Sequence, residues 1–159
     1  MPRHSVVRML PYAPEELWAM VGDVDRYPEF VPWITAMRTW NRHGDSEGVE
    51  VLDAEATVGF KFLKETFATR VRLNRNDLSV GVSLLHGPFK RLSNRWRFEP
   101  HAMGAKVIFD IDFAFRTGLL DAMLAAHFDR AVARLMGCFE ARAAVLYTPR
   151  AAQRSAGAA

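Results

Sequence analysis

The feature that most constrains this sequence is its last apolar run, from Gly118 to Tyr147, which contains no proline. Apolar residues recur there every three or four positions, which is typical of one face of an α-helix. They are Leu120, Leu124, Phe128, Ala131, Leu135 and Phe139, widened by Met123, Val132, Met136, Ala143 and Leu146. One unbroken helix over this run would be about 45 Å long. A helix so long and so apolar needs a large apolar partner surface, which the rest of the chain must supply.

The preceding residues predict a β-sheet as that surface. Apolar and polar residues alternate with the period of a strand in several segments. They are 50–58, 61–73, 78–84, 92–98 and 107–115, and a further strand is predicted at 37–40. Turn-forming sequences separate them at 43–48, 74–77, 86–88 and 99–104. Such short links join antiparallel neighbours, and a single apolar face per strand indicates that one face of the sheet is covered.

The first 34 residues predict a strand at 4–10, a short helix at 13–23, and a broken helical segment at 23–34. Pro28 and Pro32 exclude one regular element in the last of these. The expected fold is therefore α+β, with a curved antiparallel sheet of six to seven strands wrapped around the long C-terminal helix and two short helices after the first strand. Residues 1–147 form this single domain, and residues 148–159 are predicted to be a disordered tail.

Composition and charge narrow the function classes. The chain has a formal net charge of +3, which permits an anionic phospholipid surface or RNA as a partner. Cys138 is the single cysteine, so it excludes an internal disulfide and indicates a reducing compartment. No apolar leader or membrane-spanning run is present. The expected location is cytoplasmic, with peripheral contact at the inner face of the membrane.

Signatures of enzyme sites are missing from the sequence. The five histidines never adopt metal-ligand spacing with one another or with Cys138. There is no glycine-rich phosphate loop and no nucleophile elbow. We therefore predict no catalytic residue, no bound metal and no catalytic cofactor.

Basic residues occupy the polar face of the predicted strands. They are Lys64, Arg70, Arg72, Arg91, Arg95 and Arg97. One interpretation is nucleic-acid binding; the other is cross-strand pairing with the acidic residues of the same face, Asp53, Glu55, Asp110 and Asp112. No aromatic residue is predicted on this face for base stacking. The pairing interpretation is therefore favoured, and no DNA partner is expected.

Two polar residues fall on the apolar side of their strands. Asn94 has the parity of Leu92 and Trp96, and Glu65 has the parity of Phe67. A buried polar group needs a partner, and a few polar groups among apolar ones are typical of a small-molecule pocket. The alternative for each is a strand end facing solvent or a bulge that reverses the register.

Three segments carry a family resemblance: DVDRYPEFVPW (23–33), GPFKRLSNRWRFEP (87–100) and HFDRAVARLMGCFEARA (127–143). They resemble the START-like, polyketide-cyclase-type proteins of the helix-grip fold, and among these the coenzyme Q-binding proteins and the related ribosome-association toxins. The resemblance implies a tunnel between sheet and helix that holds ubiquinone. Its mouth would be Tyr27, Phe30, Pro32 and Trp33; its sheet side Phe67, Phe89, Leu92, Asn94, Trp96, Phe109 and Phe113; its helix side Phe128, Val132, Leu135, Met136 and Phe139. The residues alone leave open whether they enclose a cavity or a filled core.

The resemblance also implies a function. The expected one is a non-enzymatic protein that carries or chaperones ubiquinone in respiration or quinone biosynthesis and contacts an anionic membrane surface. A second reading is a ribosome-association toxin that binds the large ribosomal subunit through its basic surface. A third is a polyketide cyclase or aromatase, which would need an acid/base group in the tunnel beyond Asn94 and Glu65.

Overall fold

Seven strands form one antiparallel sheet in the computed structural model, which describes residues 3–60, 63–119, 122 and 127–150, with Phe60 and Leu63 described by their backbone alone. The strands are β1 (Arg3–Leu10), β2 (Ile34–Ser46), β3 (Val49–Phe60), β4 (Leu63–Asn74), β5 (Ser79–His86), β6 (Phe89–His101) and β7 (Gly104–Phe115). The helices are α1 (Pro14–Gly22), a 3₁₀ helix (Val24–Glu29) and the C-terminal helix, named α2 here (Phe128–Leu146). The predicted α+β architecture is confirmed.

The strand order is β1-β7-β6-β5-β4-β3-β2. Strands β2 to β7 form successive hairpins, whereas β1 pairs with β7 at the far edge. The 3₁₀ helix and α1 carry the chain from one edge of the sheet to the other. One cross-strand row crosses the middle of the covered face: Leu52, Val71, Val82, Asn94, Ile111 and His4.

The predicted single helix from Gly118 to Tyr147 is interrupted at His127. Gly118 and Leu119 are helical, but His127 has φ −123° and ψ 10°, and α2 begins at Phe128. The helix therefore spans 19 residues, about 28 Å. Packing sets this start, because the Phe128 ring lies 4.7 Å from Phe113 and 5.5 Å from the ring of His4. The predicted helical residues Leu120, Met123 and Leu124 lie outside the described residues, as do residues 151–159 of the predicted tail.

Two predicted turns are also shorter than expected. The β2–β3 turn consists of Glu47 and Gly48, and the β6–β7 turn of Ala102 and Met103. The flanking residues join the strands because each hairpin continues its backbone ladder to the last pair, Ser46 with Val49 and His101 with Gly104.

Helix α1 packs on the sheet through Leu17 and Val21, each 1% exposed. The Trp18 Nε1–H donates to the Ser79 carbonyl oxygen at 2.9 Å, which fixes the helix over β5. At its C-terminal end Gly22 admits the Leu73 side chain, since a Cβ there would lie 3.1 Å from Leu73 Cδ2.

Helix α2 covers the same face of the sheet. Its buried residues are Phe128, Val132, Met136, Phe139 and Ala143, so the buried stripe is displaced from the predicted one: Ala131 is exposed and Leu135 half-buried. Polar contacts fasten the helix at both sides: His4 to Asp129 (3.2 Å), Arg8 to Glu140 (3.4 Å) and Arg142 to Glu29 (3.1 Å). After the helix, the Arg150 N–H donates to the Pro11 carbonyl oxygen at 2.7 Å. None of the helices that the structure describes is long and apolar enough to cross a membrane.

Candidate functional site

The space between the sheet and α2 is lined by aromatic rings in two groups. In the first, near the start of α2, Phe89 on β6 lies 5.2 Å from Phe67 and 6.4 Å from Phe113, and Phe113 lies 4.7 Å from Phe128. Strand alternation places Phe67 and Phe113 on this face, because residues two apart on a strand point the same way. A register irregularity between Phe89 and Arg91 brings Phe89 to the same face, opposite Phe115. This group joins β4, β6 and β7 to the N-terminal turn of α2.

The second group is centred on Phe139 of α2. Its ring lies 4.8 Å from Trp96, 5.3 Å from Tyr27 and 5.2 Å from Phe30. Trp96 in turn lies 4.3 Å from Phe109 on β7. At this end the helix, the sheet and the 3₁₀ segment meet in direct ring contacts, which are typical of packed core.

Asn94 lies between the two groups. On β6 it is flanked by Leu92 and Trp96, and its cross-strand neighbours are Val82 and Ile111. Its Oδ1 is buried and has no hydrogen-bond partner among the described residues. A buried acceptor left unpaired costs about 1–3 kcal/mol, so an apolar residue would be more stable at this position. The side chain therefore presents a free acceptor to the space under α2.

Two other polar side chains share this face. Thr69 is buried, and its hydroxyl donates to the Ala54 carbonyl oxygen at 3.4 Å. Glu65 is half-buried and pairs with Val58 across the β3–β4 hairpin. Asn94 is thus the central polar group of the face, and Glu65 lies toward one end. Within the described ranges, no three histidine, cysteine, aspartate or glutamate side chains come together as metal ligands would.

Most of the residues predicted for the tunnel lie around this space. Eight are buried: Phe89, Trp96, Phe109, Phe113, Phe128, Val132, Met136 and Phe139. Seven are half-buried: Tyr27, Phe30, Trp33, Phe67, Leu92, Asn94 and Leu135. The apolar ones among them belong to or pack against one cluster, with the exception of Trp33 and of Pro32, which is exposed. Sequence reasoning missed Val82 and Ile111, the cross-strand neighbours of Asn94, although their strand parity was a sufficient signal.

The aromatic segment predicted as the mouth is fastened to both α1 and α2. The Tyr27 hydroxyl donates to the Val21 carbonyl oxygen, and removal of this hydroxyl from water, with the nearby Asp23 charge, raises the pKa of Tyr27 above its usual value. Phe30 packs on Phe139, and the Arg142 guanidinium lies over its ring at 5.2 Å. Pro32 and Trp33, which follow, reach the surface between the 3₁₀ helix and β2.

The uncovered face of the sheet carries the predicted ion pairs, which are confirmed. They join Arg70 to Asp53 (3.1 Å), Arg91 to Asp112 (3.0 Å) and Arg97 to Asp110 (3.7 Å). Other pairs differ from the predicted ones: Arg72 pairs with Asp45 (2.8 Å), Arg95 with Asp77 (3.4 Å), and Glu55 with Arg38 (3.5 Å). The expectation that no aromatic residue shares this face is wrong. Trp40 pairs with Asp53 across the β2–β3 hairpin and is 36% exposed. A bulge between Trp40 and His43 sets this position.

Comparison with known proteins finds a matching family and similar proteins along most of the chain. Residues 10–140 match the model of a family described as polyketide cyclase / dehydrase and lipid transport. The chain is 31% identical to the ribosome association toxin RatA of Rickettsia prowazekii, over 86% of this chain and 92% of that protein. It is 32% identical to a mitochondrial coenzyme Q-binding protein of Schizosaccharomyces pombe, over 70% of this chain and 68% of that protein.

Solved structures show the same fold. The solution structure of an 18 kDa protein from Caulobacter crescentus is 59% identical, with a TM-score of 0.78 over 92% of this chain and 98% of that one. A START superfamily protein from Mycobacterium smegmatis has a TM-score of 0.76 at 18% identity, covering 91% of this chain and 99% of that one. The sheet that grips α2 is therefore the START-like architecture that the sequence resemblance implied.

Proposed function

This chain belongs to the polyketide cyclase/dehydrase and lipid transport family, and we propose that it binds an isoprenoid quinone, ubiquinone in the first instance, between the covered face of the sheet and α2. The observation that carries the proposal is the buried, unpartnered Oδ1 of Asn94 among Leu92, Trp96, Val82 and Ile111. An apolar surround with one orienting polar group is what a site for an apolar molecule with a polar head requires.

The amide of Asn94 suits both redox states of a quinone. Its oxygen accepts a hydrogen bond from a quinol hydroxyl, and its NH₂ group donates to a quinone carbonyl after rotation about the terminal torsion. Burial of the isoprenoid tail is favourable by about 0.8 kcal/mol of transfer free energy for each CH₂ group removed from water. An apolar protein interior therefore holds the tail more favourably than water does. The coenzyme Q-binding relative supports this choice of ligand.

We infer that the protein binds and delivers this ligand without catalysing its conversion. The amide of Asn94 orients a ligand but does not exchange a proton near neutral pH. The hydroxyl of Thr69 is held by the Ala54 carbonyl oxygen. A cyclase activity would need an acid/base group beyond Asn94 and Glu65, so an assay of polyketide cyclisation by the wild-type protein, repeated with Glu65→Gln, tests the enzymatic alternative.

A carrier of a bilayer-resident ligand must open near lipid, and we propose that the surface at Pro32 and Trp33 is that point. Pro32 is exposed and Trp33 half-buried, next to a segment that Tyr27 and Phe30 anchor to α2. Trp favours the membrane–water interface, so Trp33 is suited to contact lipid there.

A second candidate function is association with the large ribosomal subunit. It is favoured by several relatives named for ribosome association, with 30–31% identity over 86–94% of this chain. Co-sedimentation of the purified protein with ribosomal subunits over a salt series tests it. Protein that sediments with the large subunit, in an amount that decreases as the salt concentration is raised, would support this function. This outcome would not bear on the quinone site.

The ligand proposal is tested by extracting the purified protein with organic solvent and measuring quinones by mass spectrometry. The informative variant is Asn94→Leu. It removes an unpaired buried acceptor, so the free protein should be as stable as wild type or more stable. Its quinone content, and the quenching of Trp fluorescence by a short-chain ubiquinone, should fall about tenfold, the value of one buried polar contact.

A matched control is Asn76→Leu, since Asn76 lies in the exposed β4–β5 turn. It should leave quinone binding unchanged. Wild-type protein that neither retains an extracted quinone nor binds the short-chain ubiquinone would overturn the proposal, and so would equal binding by Asn94→Leu and wild type.

A further inference from the structure

The uncovered face of the sheet, opposite the apolar site, carries a groove of about 310 Å³. Its lining residues are Val51, Arg70, Arg72, Gly81, Ser83 and Arg95, together with Val82 and Asn94, whose side chains point to the covered face by strand alternation. Gly81 and Ser83 on the central strand β5 form its floor, because Gly81 lies opposite Arg72 on one side and Arg95 on the other. A Cβ on Gly81 would meet nothing within 4 Å, so the glycine leaves an open gap between two arginines.

The three arginines of the groove retain hydrogen-bonding capacity. Arg70 donates to Asp53 through Nε, Arg72 to Asp45 through one terminal nitrogen, and Arg95 to Asp77 through one terminal nitrogen. Each guanidinium has five N–H donors, so most of them are left over after these bonds. The side chains of all three are about half exposed. The carboxylates hold the guanidinium groups at the rim, where the remaining donors fit phosphate oxygens.

An exposed aromatic ring lies in line with this groove. One cross-strand row runs from Trp40 through Asp53 and Arg70 to Ser83. At about 4.8 Å between strands, Trp40 lies about 10 Å from Arg70, which is within one or two nucleotides of extended backbone. The Arg38 guanidinium lies 4.6 Å from the centre of the Trp40 ring, so cation and aromatic surface occur together. The bulged Asn41, with φ 57°, donates to Asp53 at 3.1 Å and fixes the strand beside Trp40.

From this arrangement we infer that the uncovered face binds single-stranded RNA, with phosphates on Arg70, Arg72 and Arg95 and a base stacked at Trp40. Arginines that follow the backbone and an aromatic platform for a base are the two parts of sequence-tolerant single-strand binding. The site goes beyond the quinone proposal because it lies on the opposite face of the sheet. It is also separable from ribosome association, which can proceed through ribosomal proteins.

The test measures anisotropy of labelled eight-nucleotide single-stranded RNA with the full chain at low salt. Gly81→Val is the sharpest variant, because a Cβ at this position meets nothing within 4 Å and Val suits a β-strand while occupying the gap between the arginines. We expect it to weaken RNA binding at least tenfold while the melting temperature is kept. The matched control is Gly44→Val on edge strand β2, where a Cβ also meets nothing within 4 Å; it should bind like wild type.

Two further variants assign the roles. Trp40→Leu should weaken binding about tenfold, the value of one stacked base. Arg72→Gln should reduce the slope of log affinity against log salt by about 0.7, the value of one phosphate contact. Leu135→Trp, on α2, should leave RNA binding unchanged and thereby separate this site from the apolar one.

Several results would overturn the inference. One is that wild-type protein does not bind the RNA at low salt. Another is that Gly81→Val binds the RNA as tightly as wild type does. The same applies if Gly81→Val weakens binding to phosphatidylglycerol vesicles but not to RNA, which would make the groove a lipid-surface site. If millimolar inorganic phosphate displaced the RNA completely, the groove would be a site for a simple anion, and the inference would be overturned.

Discussion

The indole of Trp96 on β6 and the phenyl ring of Phe139 on α2 lie 4.8 Å apart, at an interplanar angle of 58°. Both are buried, with exposed fractions of 4% and 3%. Because Phe139 also contacts Tyr27 and Phe30, one ring joins the sheet, the helix and the aromatic segment. The closed end of the interior is thus at Phe139, and Asn94 lies on the sheet between this end and the Phe113–Phe128 contact.

Removing the Phe139 ring should therefore destabilise the whole domain. For Phe139→Ala we expect a loss of about 3–5 kcal/mol in the free energy of unfolding, measured by urea denaturation, because the ring is buried and its neighbours are large. Val145→Ala on the same helix is the control; Val145 is 76% exposed, so its effect should stay within about 0.5 kcal/mol. A loss near that of the control would mean that the interior at Phe139 is not packed.

A second prediction concerns the space beside Leu135, which is half-buried and packs against the core. Overpacking a filled core costs about 1–3 kcal/mol, whereas a cavity accepts the extra volume. We expect Leu135→Trp to lower quinone retention while the melting temperature of ligand-free protein stays close to that of wild type. A large fall in that melting temperature, with quinone retention unchanged, would show filled core at this position.

The third prediction tests membrane contact at Trp33. We expect Trp33→Ser to weaken co-flotation with phosphatidylglycerol vesicles several-fold and to slow quinone transfer between vesicles, because an interfacial Trp is lost. Trp40→Ser is the matched control, since Trp40 lies on the uncovered face of the sheet. Equal flotation of wild type and Trp33→Ser would place the exchange surface elsewhere.

Alternation along the strands accounts for what the sequence predicted correctly. It placed Asn94 on the covered face, and Arg70 and Asp53 together on the other face, because the period of two is fixed by the pleat. It did not predict the break before Phe128, which follows from contacts with Phe113 and His4 that are distant in sequence.

Contacts between residues distant in sequence also explain why the position of Trp40 and the buried stripe of α2 were not predicted. A bulge between Trp40 and His43 depends on the Asn41 side chain reaching Asp53, and periodicity contains no sign of such a contact. On α2, the choice of Val132 and Met136 over Ala131 and Leu135 as the most buried residues depends on the direction from which the sheet approaches. Helical spacing alone leaves that direction open within about one residue.

The last prediction concerns pH. Asp53 accepts hydrogen bonds from Arg70 Nε at 3.1 Å and from Asn41 Nδ2 at 3.1 Å. The Arg70 bond, followed by the Asn41 bond, holds the pKa of the Asp53 carboxyl below its ordinary value, although its removal from water opposes the shift. A carboxyl whose folded-state pKa lies below its unfolded value of about 3.9 contributes stability above that value. This contribution is lost as the pH falls through the folded-state pKa.

We therefore expect Arg70→Met to raise the pKa of Asp53, measured by the carboxyl ¹³C shift in a pH titration. The same variant should reduce stability at pH 7 and make the remaining acid dependence below about pH 4 shallower, because the folded and unfolded pKa values then lie closer together. Arg72→Met is the control, since Arg72 pairs with Asp45 and should leave the Asp53 titration unchanged. An Asp53 pKa that does not move in Arg70→Met would show that Asn41 alone holds the carboxylate in its charged form.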